Sequence, residues 1–149
     1  MTRFGYFLSC AEYSPDQLLE QARLAERAGF DALWISDHFH PWNDAQGQSP
    51  FVWSMIGAVA QVCDLPVTTA VTCPTVRTHP AIIAQAAATL AAMFPGRFWV
   101  ALGSGENVNE HITGGRWPAK AERDARLREC VGIIRALLDG EEVTHDGLV

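Results

Sequence analysis

The sequence predicts an α/β fold in which four parallel strands are each followed by a helix. Short runs rich in aromatic and β-branched residues alternate four times with longer segments whose apolar residues recur at helical spacing. Glycine and proline mark several of the boundaries between these segments. Such alternation predicts a parallel sheet covered by helices, either an open doubly wound sheet or part of a (β/α)8 barrel.

The first unit has the clearest boundaries. Residues 3–9 form a short aromatic-rich run that predicts a strand. Ser14 is the predicted N-cap of the following helix, with Pro15 in the first turn and Gln17 as the returning partner of a capping box. Gly29 comes directly after the apolar pattern and predicts the end of this helix.

The second unit repeats this plan around a long loop. Residues 32–36 predict a strand because they are apolar and include aromatic and β-branched side chains. Ser49 and Pro50 repeat the combination of a cap and a proline, and they predict a helix that runs to about Val62.

The third and fourth units complete the pattern. The β-branched residues of 66–72 predict a strand, and the alanine-rich segment 80–93 predicts a helix that packs very close to a neighbour. Residues 98–102 predict the fourth strand, and residues 121–138 predict the last helix. The apolar stripe of that helix is expected to consist of Leu127, Val131, Ile134, Leu137 and Leu138.

The composition excludes several classes of protein. With 149 residues, 48% hydrophobic and 19% charged, the chain is neither disordered nor fibrous. Residues 81–94 form the longest strongly apolar stretch, which is too short for a membrane span. A net charge of −6, from 17 acidic and 11 basic side chains, argues against non-specific binding to nucleic acid.

Cysteine usage and the N-terminal sequence predict a cytoplasmic protein. No basic segment followed by an apolar one and a cleavage site opens the chain. The cysteines are widely spaced, without a CxxC motif, and are expected to be free, reduced thiols. They are Cys10, Cys63, Cys73 and Cys130.

The loop after the second strand is the strongest candidate for chemistry. It places Asp37, His38, His40 and Trp42 at the carboxyl end of a strand, where parallel α/β folds hold their active sites. Histidine titrates near neutral pH, so a histidine beside an aspartate can move a substrate proton. The indole can cover a flat ligand or stabilise developing positive charge.

Two other interpretations of this loop remain open. Its aromatic side chains can serve packing alone, with Asp37 capping a turn. Alternatively, His38 and His40 form an H-x-H pair like that of metal-dependent hydrolases, which need further ligands on later strands. His79 and His111 do not follow strands at a convincing ligand spacing, so we expect no metal site.

The loops after the third and fourth strands supply further candidates. Cys73 follows the third strand, and a buried, inert thiol is favoured over a nucleophile because no adjacent base can be identified. After the fourth strand, Gly103 and Gly105 allow the backbone a sharp turn or a close approach to a ligand. Glu106 is a candidate acid or base, and Asn109 can donate and accept hydrogen bonds at a polar ring edge. A plain turn with a solvated glutamate is the alternative.

Taken together, three motifs resemble a known family. The motifs S-D-H-F-x-P-W, T-x-x-x-H-P-A-x-I-A-Q and G-S-G-E-x-x-N-E follow the second, third and fourth strands in that order. They resemble the luciferase-like barrel family, especially its deazaflavin branch, the coenzyme F420-dependent glucose-6-phosphate dehydrogenases. The resemblance spans residues 3–147 and implies the N-terminal half of a (β/α)8 TIM barrel. The domain is therefore expected to be one partial barrel over residues 1–149.

The resemblance also implies a role for each site residue. The match of His38 faces the substrate carbon and takes part in proton transfer from the alcohol. The match of Trp42 steadies the oxidised intermediate, and the match of Glu106 is a proton partner of the reduced ring. The cofactor-binding positions are Asp37, Cys73, Ser104, Gly105 and Asn109.

Three further features follow from the same resemblance. A non-proline cis peptide is expected at Ala70-Val71, behind the cofactor ring. Cys73 stands where the glucose-6-phosphate dehydrogenases have threonine. The cationic residues that bind the sugar phosphate in that family lie on later barrel strands.

The predicted function is hydride transfer between an alcohol or sugar and coenzyme F420. An FMN-dependent luciferase-like monooxygenase is one alternative, and a non-catalytic truncated half-barrel is another. The expected partners are a small-molecule substrate and a second chain, either as a homodimer or through the open sheet edges. No nucleic acid or membrane is expected, and His40 receives no role.

Overall fold

The computed structural model describes residues 2–149, which form a single parallel sheet with helices on one face. The strands are β1 (Gly5–Leu8), β2 (Ala32–Ile35), β3 (Val67–Thr69) and β4 (Phe98–Trp99). The helices are α1 (Pro15–Arg27), α2 (Val52–Val62), α3 (Pro80–Met93), α4 (Asn107–Glu110) and α5 (Lys120–Leu138), with a 3₁₀ turn over His111–Thr113.

The order of the strands distinguishes the two predicted architectures. Strands β1 to β4 lie side by side in chain order, and all three pairings are parallel. A doubly wound sheet reverses its strand order at a switch point, whereas a barrel adds each strand beside the last. The structure therefore confirms four parallel βα units wound as in half of a barrel.

The two faces of the sheet differ in cover. Leu8, Leu33 and Ile35 are fully buried and share one core cluster with side chains of α1 and α2. On the opposite face, Phe7 pairs in register with Trp34, and both side chains are about half exposed. Trp99 continues this aromatic row on β4, at 46% exposed. The face that a complete barrel would enclose is open within residues 2–149.

The first helix forms as predicted. Ser14 is its N-cap and accepts a hydrogen bond from the Gln17 backbone, while the Gln17 side chain accepts one from the Ser14 backbone. This reciprocal pair satisfies two amide groups that would otherwise lack partners. Gly29 has φ +83° and follows the helix, which confirms the predicted stop.

The predicted start of the second helix is wrong. The helix begins at Val52, and its N-cap is Phe51, which makes no side-chain capping bond. Ser49 instead donates through Oγ to the carbonyl oxygen of His38, at 2.7 Å. The Ser49 hydroxyl therefore makes a tertiary hydrogen bond instead of capping the helix. This bond fixes the loop after β2.

Helices α3 and α5 pack against each other, as the alanine-rich sequence of α3 predicts. Ile83 and Ala84 of α3 form a buried cluster with Ile134 of α5. The predicted stripe of α5 is wrong at its end, because Leu138 is 45% exposed while Ile133 is buried. Leu138 is the last residue of the helix.

The third and fourth strands are shorter than the sequence predicts. Beyond Thr69 and Trp99 the two chains remain side by side, as shown by an isolated parallel bridge between Thr72 and Leu102. The peptide Ala70-Val71 between these points is cis, as predicted.

Among residues 2–149, no helix combines the length and apolar character that crossing a membrane requires. The four cysteines are free, as predicted, and all four are buried.

Candidate active site

A cavity of about 430 Å³ opens at the carboxyl ends of the four strands. Its volume falls within the range of small-molecule sites. All eight site residues predicted from the sequence line this cavity, although they come from three separate loops. They are Asp37, His38, Trp42, Cys73, Ser104, Gly105, Glu106 and Asn109.

His38 lies against Trp42 within the cavity. The two rings meet edge to face, with centroids 5.2 Å apart. Nδ1 of His38 is buried and makes no hydrogen bond within residues 2–149. Burial lowers the pKa of His38 and Arg77 lowers it further, which together outweigh the opposing effects of Glu106 and Asp37. The imidazole is therefore neutral at pH 7, the state in which it can accept a proton.

Two buried carboxylates share one arginine behind the cavity wall. Arg77 Nη2 donates to Asp37 Oδ1 at 2.9 Å, and Arg77 Nε donates to Glu110 Oε1 at 3.4 Å. The backbone amide of Arg77 donates to the other Glu110 oxygen at 2.8 Å. Thr72 Oγ1 donates to Asp37 Oδ2 at 2.8 Å. Each carboxylate oxygen therefore has a partner.

The charge state of this group reflects its burial. Burial raises the pKa of Glu110, and the nearby Arg77 only partly offsets that effect. Burial also acts to lower the pKa of Arg77, but Asp37 and Glu110 outweigh it and hold this pKa above its usual value. The guanidinium therefore remains charged between the two carboxyl groups.

Arg77 and Glu110 were not predicted as site residues. Glu110 stands at the end of the third motif and Arg77 within the second, so both were already inside recognised segments. Their charge was the one sequence feature that could have identified them. A carboxylate or guanidinium that is buried beside an apolar strand needs an oppositely charged or hydrogen-bonding partner. The sequence does not show that they pair across 33 positions.

Asn109 joins the loops after β2 and β4. Its Oδ1 accepts hydrogen bonds from the backbone amides of Phe39 and His40, at 2.9 and 3.1 Å. Asn109 lies in α4, a helix of four residues within the segment that the sequence predicts as a loop. The side chain therefore fixes the His38 loop as well as lining the cavity.

Cys73 forms part of the cavity wall. Its Sγ lies 3.1 Å from Thr75 Oγ1, and burial raises the pKa of the thiol. A thiol that stays protonated is a poor nucleophile, which agrees with the inert role favoured by the sequence.

Two glycines bring the backbone of the fourth loop close to the cavity floor. Gly105 has φ +80°, and a Cβ at this position would lie 2.5 Å from Cys73 Sγ and 3.2 Å from Glu110 Cγ. A Cβ on Gly103 would lie 2.5 Å from Val71 Cγ2. Val71 belongs to the cis peptide, is about half exposed and lines the cavity. These three residues therefore shape one side of the cavity.

Trp42 lines the cavity, whereas His40 and His111 lie outside its lining. Trp42 is 55% exposed, and its backbone amide donates to Gln46 Oε1 at 2.7 Å. His40 stacks on His111 with ring centroids 5.2 Å apart. Within residues 2–149, no three His, Cys, Asp or Glu side chains are grouped so that they could hold a metal ion.

Comparison with known proteins identifies the family. The family model described as luciferase-like monooxygenase matches residues 2–149. The chain belongs to the luciferase-like monooxygenase family.

Relatives within the family agree with the fold. The chain is 44% identical over 148 residues to a protein of Beutenbergia cavernae named F420-dependent glucose-6-phosphate dehydrogenase, covering 99% of this chain and 44% of that protein. It superposes with TM-score 0.94 and 43% identity on an F420-dependent secondary alcohol dehydrogenase in complex with an F420-acetone adduct, covering 98% of this chain and 45% of that one.

A more distant solved structure shares the fold alone. The oxygenating constituent of 3,6-diketocamphane monooxygenase from Pseudomonas putida, in complex with FMN, matches with TM-score 0.77 and 21% identity over 97% of this chain and 41% of that one. In all three comparisons the chain spans less than half the length of its relative. The four βα units thus correspond to half of a luciferase-like barrel.

The pKa of His38 gives a direct test of its environment in this luciferase-like site. The ring is expected to titrate below the ordinary value of 6.5. Since the folded state then binds fewer protons than the unfolded state, this residue's contribution to stability is present above pH 6.5 and is lost as pH falls through the lowered pKa. A ring-proton NMR titration, assigned with the His38→Gln variant, measures it. A midpoint at or above 6.5 would contradict the described burial.

Two glycines offer a matched test of the close backbone approach at the cavity. Gly29 and Gly105 both have positive φ, but a Cβ on Gly29 would have no neighbour within 4 Å. Gly29→Ala is therefore expected to cost about 1–2 kcal/mol from backbone conformation alone. Gly105→Ala should cost about 1–3 kcal/mol more, because it must also displace Cys73. Urea unfolding of both variants measures the difference, and equal losses would refute the close contact.

Proposed function

We propose that this chain is the catalytic half of an F420-dependent oxidoreductase that transfers a hydride between an alcohol or sugar and the deazaflavin. The observation that supports it is the convergence of His38, Trp42 and Glu106 on one cavity together with all five proposed cofactor-binding residues. Relatives named as F420-dependent dehydrogenases match nearly the whole of this chain. The roles of the individual residues are part of the proposal.

The cavity has the features that a flat ring system requires. Gly103 and Gly105 lack the side chains that would fill its floor, and Val71 lies beside Gly103 in the cavity lining. Asp37, Cys73, Ser104, Gly105 and Asn109 are the proposed cofactor contacts. The unpartnered Nδ1 of His38 is a buried polar atom that a bound ligand could satisfy.

Bound F420 would supply the hydride acceptor or donor, and the chain's own residues would handle the proton. When an alcohol is oxidised, its hydroxyl proton must leave as the hydride departs. His38, neutral at pH 7 and lining the cavity, is the proposed acceptor of that proton. Trp42 packs against His38 and is proposed to face developing positive charge with its π system. Glu106 is the proposed proton partner for the cofactor ring.

The charge of the cavity favours a neutral alcohol over a phosphorylated sugar among possible substrates. Its lining within residues 2–149 includes three carboxylates, from Asp37, Glu106 and Glu110, and neither lysine nor arginine. A phosphate group would find no cation in this half of the site. The second named relative, a secondary alcohol dehydrogenase, fits the same preference.

Cofactor titration tests the proposal. Purified chain is mixed with F420 or with FMN, and retention on a desalting column is followed by the absorbance of each cofactor. Saturable binding of F420, with a measurable dissociation constant, supports the assignment. Retention of FMN alone favours the monooxygenase alternative, and retention of neither favours the non-catalytic half-barrel.

Three broader statements belong to the same proposal. The described residues are proposed to act as one domain, a partial barrel over residues 1–149. The protein is proposed to work in the cytoplasm, where its four thiols stay reduced. Because β1 and β4 are both open edges of a parallel sheet, association with a second chain is proposed, and light scattering after size exclusion measures it.

A further inference from the structure

Arg77 lies outside the cavity but contacts residues from two of the loops that line it. Asp37 follows β2 and Glu110 ends α4 after β4, and both line the cavity, whereas Arg77, which follows β3, does not. Its guanidinium joins the two carboxylates at 2.9 and 3.4 Å. Three loops from three strands therefore meet at a single side chain.

We propose that Arg77 is a positioning residue that fixes the His38 peptide by holding Asp37 and Glu110 together behind the cavity. The inference rests on the proposed function, since it assigns Arg77 a role through His38. Arg77 is not part of the cavity lining, and it bonds to Asp37 among the proposed cofactor contacts.

Arg77 acts on His38 through the backbone of the preceding residue, Asp37. Nη2 of Arg77 donates both to Asp37 Oδ1 and, at 3.4 Å, to the Asp37 carbonyl oxygen. That carbonyl belongs to the peptide that links Asp37 to His38. The second carboxylate oxygen of Asp37 accepts from Thr72, so the carboxylate cannot rotate without losing a bond. The orientation of the residue before His38 is thereby fixed from two sides.

The other side of the guanidinium is fixed equally well. Glu110 accepts from Nε through one oxygen and from the Arg77 backbone amide through the other. The side chains of Arg77, Asp37 and Glu110 are 10%, 4% and 1% exposed, so water competes little for these bonds. Arginine presents its donors in a rigid planar fork, which lysine cannot reproduce. Geometry as well as charge is therefore required at this position.

Arg97 provides a matched control. Its guanidinium is also mostly buried, and it donates to the carbonyl oxygens of Ala60 and Cys63 and pairs with Asp64. It precedes β4 and thus lies at the amino ends of the strands, away from the cavity. Loss of Arg97 should lower stability without altering His38.

The experiment compares Arg77→Met, Arg77→Lys and Arg97→Met in two measurements. In the cofactor-free chain, NMR follows the titration of His38, which faces Glu106, Asp37 and Arg77. Arg77→Met should raise the pKa of His38, because a nearby cation is lost and Asp37 is released. In the F420-loaded chain, both Arg77 variants should lower kcat about 100-fold, with a much smaller change in cofactor dissociation constant. Arg97→Met should change neither quantity.

Each result either supports or overturns the positioning role of Arg77. The inference is overturned if folded Arg77→Lys keeps kcat within about twofold of the parent chain, or if Arg97→Met shows equal losses. Should Arg77→Met fail to fold, Arg77→Lys and its His38 spectrum serve in its place, and ring shifts identical to those of the parent would overturn the proposal. Should the chain bind no F420, the proposed function fails, while the titration of His38 in the cofactor-free chain still tests the role of Arg77.

Discussion

Replacing His38 with alanine is expected to abolish turnover while F420 still binds. A positioned acid or base typically contributes about 10²- to 10⁴-fold to the rate. His38 lines the cavity as a neutral imidazole, whereas the proposed cofactor contacts are made by other residues. The measurement is the rate of F420 reduction by a simple secondary alcohol, together with the F420 dissociation constant of each variant.

The pH dependence of the same assay adds a second criterion. The rate of the parent chain should fall as pH drops through the lowered pKa of His38, because the protonated ring cannot accept a proton. His145→Ala is a suitable control, since that histidine pairs with Glu129 and lies outside the cavity lining. Loss of F420 binding in His38→Ala, without a separate defect in turnover, would assign His38 to the cofactor instead.

The convergence of the site could be predicted because it follows from topology. Parallel strands end at a common edge of the sheet, so loops that are far apart in sequence meet there. His38, Cys73 and Glu106 belong to three such loops and line one cavity. The cis peptide Ala70-Val71 was predicted by resemblance alone, since no propensity marks it.

The errors concern features that depend on tertiary partners. Ser49 has the chemistry of an N-cap, but its hydroxyl donates to the carbonyl of His38, and the helix begins at Val52. The buried pairing of Arg77 with Asp37 and Glu110 joins residues 33 and 40 positions apart, which no local pattern reveals. Such contacts are chosen by packing, so they become visible only in the folded structure.

The open face of the sheet connects the fold to its proposed activity. Phe7, Trp34 and Trp99 form an exposed aromatic row on the face that a complete barrel would enclose. Phe7 also lines the cavity, so this row extends to the floor of the candidate active site. Covering this aromatic row would also limit the access of water to the cavity. Exclusion of water favours the proposed transfer of a proton and a hydride.

Replacing Glu110 with alanine is expected to cause a large loss of stability. The side chain is 1% exposed, and its two oxygens accept hydrogen bonds from the Arg77 backbone and guanidinium. Its removal leaves two buried donors without acceptors and a buried cation with one counter-charge in place of two. Breaking a buried pair in this way typically costs about 3–5 kcal/mol. Urea unfolding followed by circular dichroism gives the change in free energy.

Glu122 is the matched control for this substitution. It also pairs with two arginines, Arg116 and Arg126, but lies on the surface, where ion pairs contribute little. Glu122→Ala should therefore leave the unfolding midpoint nearly unchanged. An equally small effect of Glu110→Ala would show that the buried pairing does not stabilise the fold.

The pH dependence of stability separates the charge of Glu110 from its packing. Since burial raises its pKa in the folded state, the folded chain holds this proton more tightly than the unfolded chain does. The parent chain should therefore lose stability relative to Glu110→Gln as pH rises from 4.5 through the raised pKa. The free energy of unfolding of the parent minus that of Glu110→Gln should therefore be lower at about pH 7 than at about pH 4. The opposite trend would show that Arg77 outweighs burial and lowers the pKa of Glu110 below its usual value.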